Sequence, residues 1–141
     1  IPKIINNQVE SIPQNKKNAT FTKIVRKEDG KIDWQNMTPE QIERMSRAYK
    51  PWPGVYSFWN NKKVDFSDIE IIDINKNSNL FDKKIIKEIK PGFIKVINNK
   101  VLIGTKNGIV APNKIKIEGK KALPTKDFIC GYQDFKDTML N

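Results

Sequence analysis

The sequence predicts a mainly β protein, a small antiparallel barrel with one or two short helices, preceded by a linker. Short runs of β-branched and aromatic residues recur between Val55 and Ile117, separated by Asn-Asn, Asn-Gly and Pro-Gly pairs that suit tight turns. A strong helix-start signal lies just before them. A chain of 141 residues holds one hydrophobic core but not two ordinary domains.

Residues 1–20 mix prolines with Asn, Gln and Lys without a sustained period, so they read as a linker. Ile4, Ile5 and Val9 read as the last turns of an upstream helix, and a chain opening at Ile-Pro without Met reads as an excised fragment. We therefore expect residues 1–20 to be the end of an upstream domain and an interdomain linker, with the domain proper at 21–141. Residues 21–34 read as two short extended pieces around Glu28-Asp29-Gly30. Thr38-Pro39-Glu40-Gln41 then supplies an N-cap hydroxyl, a first-turn proline and a Gln three residues after the cap. Ile42, Met45 and Tyr49 form one helical stripe, and the helix must stop before Pro51.

Strands follow at 55–59 and 62–74 around Asn60-Asn61. Val64 and Phe66 share one parity while Ile69 and Ile71 share the other, so a β-bulge is expected near Ser67-Asp68. Residues 75–79 read as a loop, and residues 80–89 fit a helix or a strand. Residues 93–97 and 101–105 form a hairpin around Asn98-Asn99, and Asn107-Gly108 leads into a strand where Ile115 and Ile117 alternate with Lys114, Lys116 and Glu118. Such short consecutive strands are too few for a large sandwich and suit a closed or nearly closed barrel such as an OB-fold. Thr125-Lys126-Asp127 is expected to cap a short helix through Phe128, Ile129 and Cys130, ended by Gly131.

Composition narrows the function. With 38% hydrophobic and 30% charged residues the chain reads as globular. Its single cysteine, Cys130, excludes an internal disulfide and any multi-cysteine metal site. No apolar run approaches the roughly 20 residues that span a bilayer, and no secretion signal opens the chain, so a cytoplasmic protein with no membrane partner is expected. The complete absence of histidine removes the commonest general base, the Ser-His and Cys-His pairs and the usual zinc ligand. A net charge of +10 points to a polyanionic partner, because each neutralised phosphate releases counterions.

Three ordered segments carry a family resemblance. The first is Ala19-Thr20-Phe21, Lys23-Ile24 and residues 27–34, KEDGKIDW; the second is residues 47–54, RAYKPWPG; the third is residues 118–123, EGKKAL, with Asp127-Phe128 and Gly131. Together they resemble the C-terminal part of methionyl-tRNA formyltransferases. The resemblance implies an OB-like barrel, a monomer without catalytic residues, cofactor or metal of its own, that helps bind initiator methionyl-tRNA. It implies that an N-terminal catalytic domain of the same polypeptide uses 10-formyltetrahydrofolate and carries the catalytic Asn, His and Asp. Phe21 departs from the family's Tyr, residues 75–89 look like an insertion, and residues 132–141 extend past the family's usual finish. Sugar-nucleotide formyltransferases share the Ile-Asp-Trp and Pro-Gly elements, whereas Gly119-Lys120-Lys121 favours tRNA.

The candidate RNA-binding residues are Lys16, Lys17, Lys23, Arg26 and Lys27 along the linker, Arg47 on the helix, and Lys120 and Lys121 after the last long strand. Arg47 suits either a phosphate or a structural pair with a carboxylate such as Asp33. Trp34 and Trp52 read as packing residues rather than base-stacking faces, Asp65 and Asp68 as a solvated face, and Cys130 as a small core residue. The competing functions are an OB-type single-strand binder, which needs several exposed aromatics along its groove, and the C-terminal domain of a sugar-nucleotide formyltransferase.

Overall fold

A computed structural model describes residues 5–6, 12–73 and 88–141. Helix α1 (Pro39–Ala48) precedes strands β1 (Val55–Trp59), β2 (Lys62–Ile71), β3 (Ile94–Ile97), β4 (Lys100–Gly104), β5 (Ile109–Ile117) and β6 (Leu123–Pro124), and helix α2 (Thr125–Gly131) follows. The α1 start forms as its residues dictate. Thr38 Oγ1 accepts from the Gln41 amide while Gln41 Oε1 accepts from the Thr38 amide at 2.8 Å, a reciprocal capping box. Both Asn-Asn pairs take the left-handed backbone that a two-residue hairpin needs, with φ of 48° and 61° at Asn60 and Asn61, and 51° and 60° at Asn98 and Asn99.

The sheet runs β1-β2-β5-β4-β3, every pair antiparallel, with β6 added to β5. Its two end strands, β1 and β3, do not pair, so the expected barrel is only loosely OB-like. Instead the C-terminal segment lies between them. The Ile94 amide donates to the Thr138 carbonyl at 2.8 Å and the Leu140 amide to the Gly92 carbonyl at 2.9 Å, while Phe58 and Asn141 exchange two backbone hydrogen bonds at 3.1 and 3.0 Å. The principal core includes Ile32, Trp34, Ile42, Val64, Phe66, Ile94 and Ile115. On it sits an aromatic group in which Phe135 meets Trp59 and Phe128 edge-on, each at 5.0 Å between ring centroids. Ile72, Leu102, Ile109 and Ala111 form a smaller cluster.

Several expectations change. Residues 21–26 join no strand; Lys27–Gly30 is a 3-10 turn, and Lys31 makes one parallel bridge to Tyr56. The β2–β5 register keeps one offset from Val64↔Ile117 to Ile71↔Val110, so no extra residue is inserted at Ser67-Asp68. The change of face occurs instead at Asp68, which takes a left-handed φ of 53°. Thr125 does not cap α2: it lies inside the helix, buried, and its hydroxyl donates to the Pro112 carbonyl. Cys130 is exposed rather than core, because the apolar side of this short helix is filled by Phe128 and Ile129. The loop expected at 75–79 and most of the 80–89 segment lie outside the described residues.

Phe135 is fully buried among rings contributed by β1 and α2. Phe135→Ala is therefore expected to cost about 3–5 kcal/mol of stability, read by denaturant unfolding. Cys130→Ser should stay within about 0.5 kcal/mol of the parent; the reverse order of effects would contradict this packing.

Candidate nucleic-acid interface

The eight predicted cations fall into two groups according to what surrounds them. Lys23 Nζ binds Asp29 Oδ1 at 2.7 Å. That hydrogen bond holds the Asp29 carboxyl below its ordinary range and raises the Lys23 ammonium above its own. Arg47 forks onto Glu43, with Nε–Oε1 at 2.6 Å and Nη2–Oε2 at 3.2 Å. Its structural partner is thus Glu43, one helical turn away, and not Asp33, because the i,i+4 spacing on α1 places the two side chains together. Asp33 is taken by Asn36, whose side chain donates at 2.9 Å, and by the backbone amides of Asn36 and Gln35. These bonds hold the Asp33 carboxyl low, the Asn36 side-chain bond most of all.

The other six, Lys16, Lys17, Arg26, Lys27, Lys120 and Lys121, are exposed, and among the described residues none makes an ion pair. Lys16 and Lys17 ride on a 3-10 turn whose start is capped by Asn15. Lys120 and Lys121 follow Gly119, which has a φ of 76°, and the turn closes by a hydrogen bond from the Lys120 amide to the Ile117 carbonyl at 2.9 Å. Lys27 belongs to the turn that ends at Gly30. A β-carbon at Gly30 would collide with the Gly54 carbonyl oxygen, so this glycine lets the turn lie directly against the 50–54 loop.

That close approach builds an open groove of about 470 Å³ whose lining includes Lys27, Lys50, Trp52, Lys63, Asp65 and Lys116. Ala122, next after Lys121, lines it as well. Lys50, Lys63 and Lys116 were not singled out by the sequence. The usable signal was the alternation of Lys114 and Lys116 with Ile115 and Ile117, which turns both lysines outward on one face of β5. Trp34 and Trp52 part company here. Trp34 is buried and its indole N–H donates to Ser57 Oγ at 2.9 Å, whereas Trp52 is 61% exposed, contrary to the packing role expected of it.

Asp65 and Asp68 act as lysine acceptors. Asp65 lies 2.6 Å from Lys63 and 4.0 Å from Lys116, and Asp68 is 3.0 Å from both Lys50 and Lys114. The Asp68 carboxyl is held low by its hydrogen bonds to Lys114 and then Lys50. Among the described residues there is no metal-binding cluster of carboxylates and cysteine, and no helix is long and apolar enough to cross a membrane.

Fold and surface together define a small, lysine-rich antiparallel β domain whose strand-face lysines largely meet carboxylates, while Lys16, Lys17, Lys27, Lys120 and Lys121 on its turns make no ion pair among the described residues. Residues 24–133 match the family described as formyl transferase, C-terminal domain, and the chain belongs to that family. It is 35% identical over 132 residues to the methionyl-tRNA formyltransferase of Treponema denticola, covering 92% of this chain and 39% of that protein. It is 33% identical to those of Buchnera aphidicola, covering 92% and 38%, and of Staphylococcus epidermidis, covering 95% and 40%. The chain thus spans about two fifths of the length of these curated relatives. A crystal structure of HypX from Aquifex aeolicus shares the fold, with a TM-score of 0.61 and 18% identity over 97% of this chain and 23% of that one.

Asp68→Asn keeps a residue that tolerates the left-handed backbone but frees Lys50 and Lys114. Because the folded carboxyl is held low, its contribution is present above the ordinary carboxylate pKa and fades as pH falls through the lowered value. The variant should lose that part of the acid-side dependence, cost less than about 1 kcal/mol at neutral pH, and elute from immobilised heparin at higher salt than the parent. Elution at the same or lower salt would show that the two lysines are not released.

Proposed function

We propose that this domain binds initiator methionyl-tRNA and orients it for formylation by an N-terminal catalytic domain of the same polypeptide, taking no part in the chemistry itself. The observation that carries the reading is the set of exposed cations Lys16, Lys17, Arg26, Lys27, Lys120 and Lys121, which make no ion pair among the described residues and could meet phosphates. The methionyl-tRNA formyltransferases it resembles supply the substrate class. On this reading the 10-formyltetrahydrofolate donor and the residues that move the formyl group belong to the catalytic domain and not to this chain. The reading is supported by Asp65 and Asp68, the carboxylates nearest to resembling an acid-base pair, each being engaged by lysines.

The competing reading as a single-strand binder asks for a row of exposed aromatics along the strands. Trp59 and Phe66 are buried and Phe58 and Phe93 only half-exposed, which favours recognition of folded RNA by backbone charge.

Titration of the domain with initiator tRNA and with a single-stranded oligonucleotide of equal length, each at two salt concentrations, tests the proposal. Tighter binding of the tRNA is expected. Replacing Lys120 and Lys121 by Ala should flatten the dependence of log K on log salt by about 0.7–0.9 for each phosphate no longer neutralised, while Lys23→Ala and Arg47→Ala should change it far less. Equal or tighter binding of the oligonucleotide would overturn the reading, and formyl transfer by this chain alone would overturn its non-catalytic part.

A further inference from the structure

The indole of Trp52 is a large apolar surface that folding leaves in solvent. The other two tryptophans, Trp34 and Trp59, are each 4% exposed, but Trp52 is 61% exposed. Its position is nevertheless fixed. The rings of Pro51 and Pro53 restrict the backbone on either side, Pro53 is itself buried, and the loop closes through the Gly54 amide, which donates to the Tyr49 carbonyl at 2.9 Å. The loop thus holds a large aromatic side chain in solvent on a firm base.

The surroundings are cationic and come from distant parts of the chain. Lys27, Lys50, Lys63 and Lys116 line the groove beside Trp52, with Asp65 the one carboxylate in that lining. Lys63 is already satisfied, by Asp65 and by the face of Tyr56 at 4.4 Å. Lys27 makes no ion pair among the described residues, and Lys116 has only the 4.0 Å approach of Asp65.

An exposed aromatic face beside weakly held ammonium groups matches the chemistry of an unstacked nucleotide, whose base stacks while its phosphates are neutralised. We propose that Trp52 is a stacking platform for one splayed-out nucleobase of the bound RNA, with Lys27 and Lys116 taking the flanking phosphates. The inference rests on the RNA-binding reading above and adds a specific interaction to it. One platform accepts one base, so it fits an unstacked nucleotide of a folded RNA rather than a track for a strand.

Tryptophan emission reads the site directly, because Trp34 and Trp59 are buried and serve as internal reporters of folding. Initiator tRNA added to the whole chain should quench the exposed tryptophan saturably. Trp52→Ala should abolish that component and weaken binding roughly tenfold without changing the salt slope, since stacking displaces no counterions. Trp52→Phe should retain most of the affinity, and Lys27→Ala with Lys116→Ala should flatten the slope. Saturable binding with unquenched Trp52 and parental affinity in Trp52→Ala would overturn this inference alone, leaving the charge-based reading intact. Failure of the parent to bind tRNA would overturn both. Equal quenching and affinity with poly-glutamate would show that the groove selects negative charge and not a base.

Discussion

An open sheet leaves a row of backbone donors and acceptors on each end strand, and unpaired rows of this kind invite association with other chains. Here residues 138–141 reach both edges at once, bonding to Gly92 just before β3, to Ile94 at its start and to Phe58 in β1. The seam is tied to the core by Leu140, which is buried, and by a relay through side chains. The Trp34 indole donates to Ser57 Oγ, and the Ser57 hydroxyl donates to the Asn141 carbonyl at 2.7 Å. Ser57 is fully buried, so its hydroxyl needs both partners. The same relay fixes Trp34 against Phe66, centroids 5.9 Å apart and nearly perpendicular. Through it the Ile32–Trp34 segment, β1 and the C-terminal residues are held as one body.

With that body fixed, the placement of charge follows from which carboxylates can reach which cations. There are 26 basic residues against 16 acidic ones, a net charge of +10, so positive charge is left over wherever the acids sit. Asp65 and Asp68 each approach two lysines on the β2–β5 face, while Glu43 and Asp29 engage Arg47 and Lys23. The acids therefore gather on α1, on the Lys27–Gly30 turn and on the strand faces. The Lys16-Lys17 turn and the turn after Gly119 are left positive. Exposed pairs of this kind add little stability. Their larger effect is to decide which cations remain available to a polyanion.

Features that depend on neighbouring residues were legible in the sequence. The α1 cap at Thr38 and Gln41, the halt before Pro51 and the Asn-Asn hairpins all rest on backbone preferences set within a few residues. Features that depend on remote partners were not. Trp34 and Trp52 both sit beside turns, and what separates them is contact with residues distant in sequence: Trp34 packs on Phe66 and donates to Ser57. Asp33 was only one example of a carboxylate that could pair with Arg47, whereas the i,i+4 spacing that brings Glu43 to it was already visible. Cys130 lies in an apolar run, but its helix is too short to bury both sides. The role of residues 132–141 was hidden because pairing to β1 and β3 becomes meaningful only once those two strands are known not to pair with each other.

The candidate site shows the same division at a larger scale. Lys120 and Lys121 announce themselves as a dipeptide, and so can be found by inspection. The groove beside Trp52 has no such signature: Lys27 reaches it because Gly30 lets one turn press against Gly54, and Lys116 reaches it because the β2–β5 register sets that residue opposite Asp65. A single β-carbon at position 30, or a one-residue slip of register, would remove one of these cations from the groove while leaving the lysine content unchanged. The positive charge of this domain is a property of its composition, but the convergence of that charge on one aromatic face is a property of its packing. Only the second can distinguish one polyanion from another.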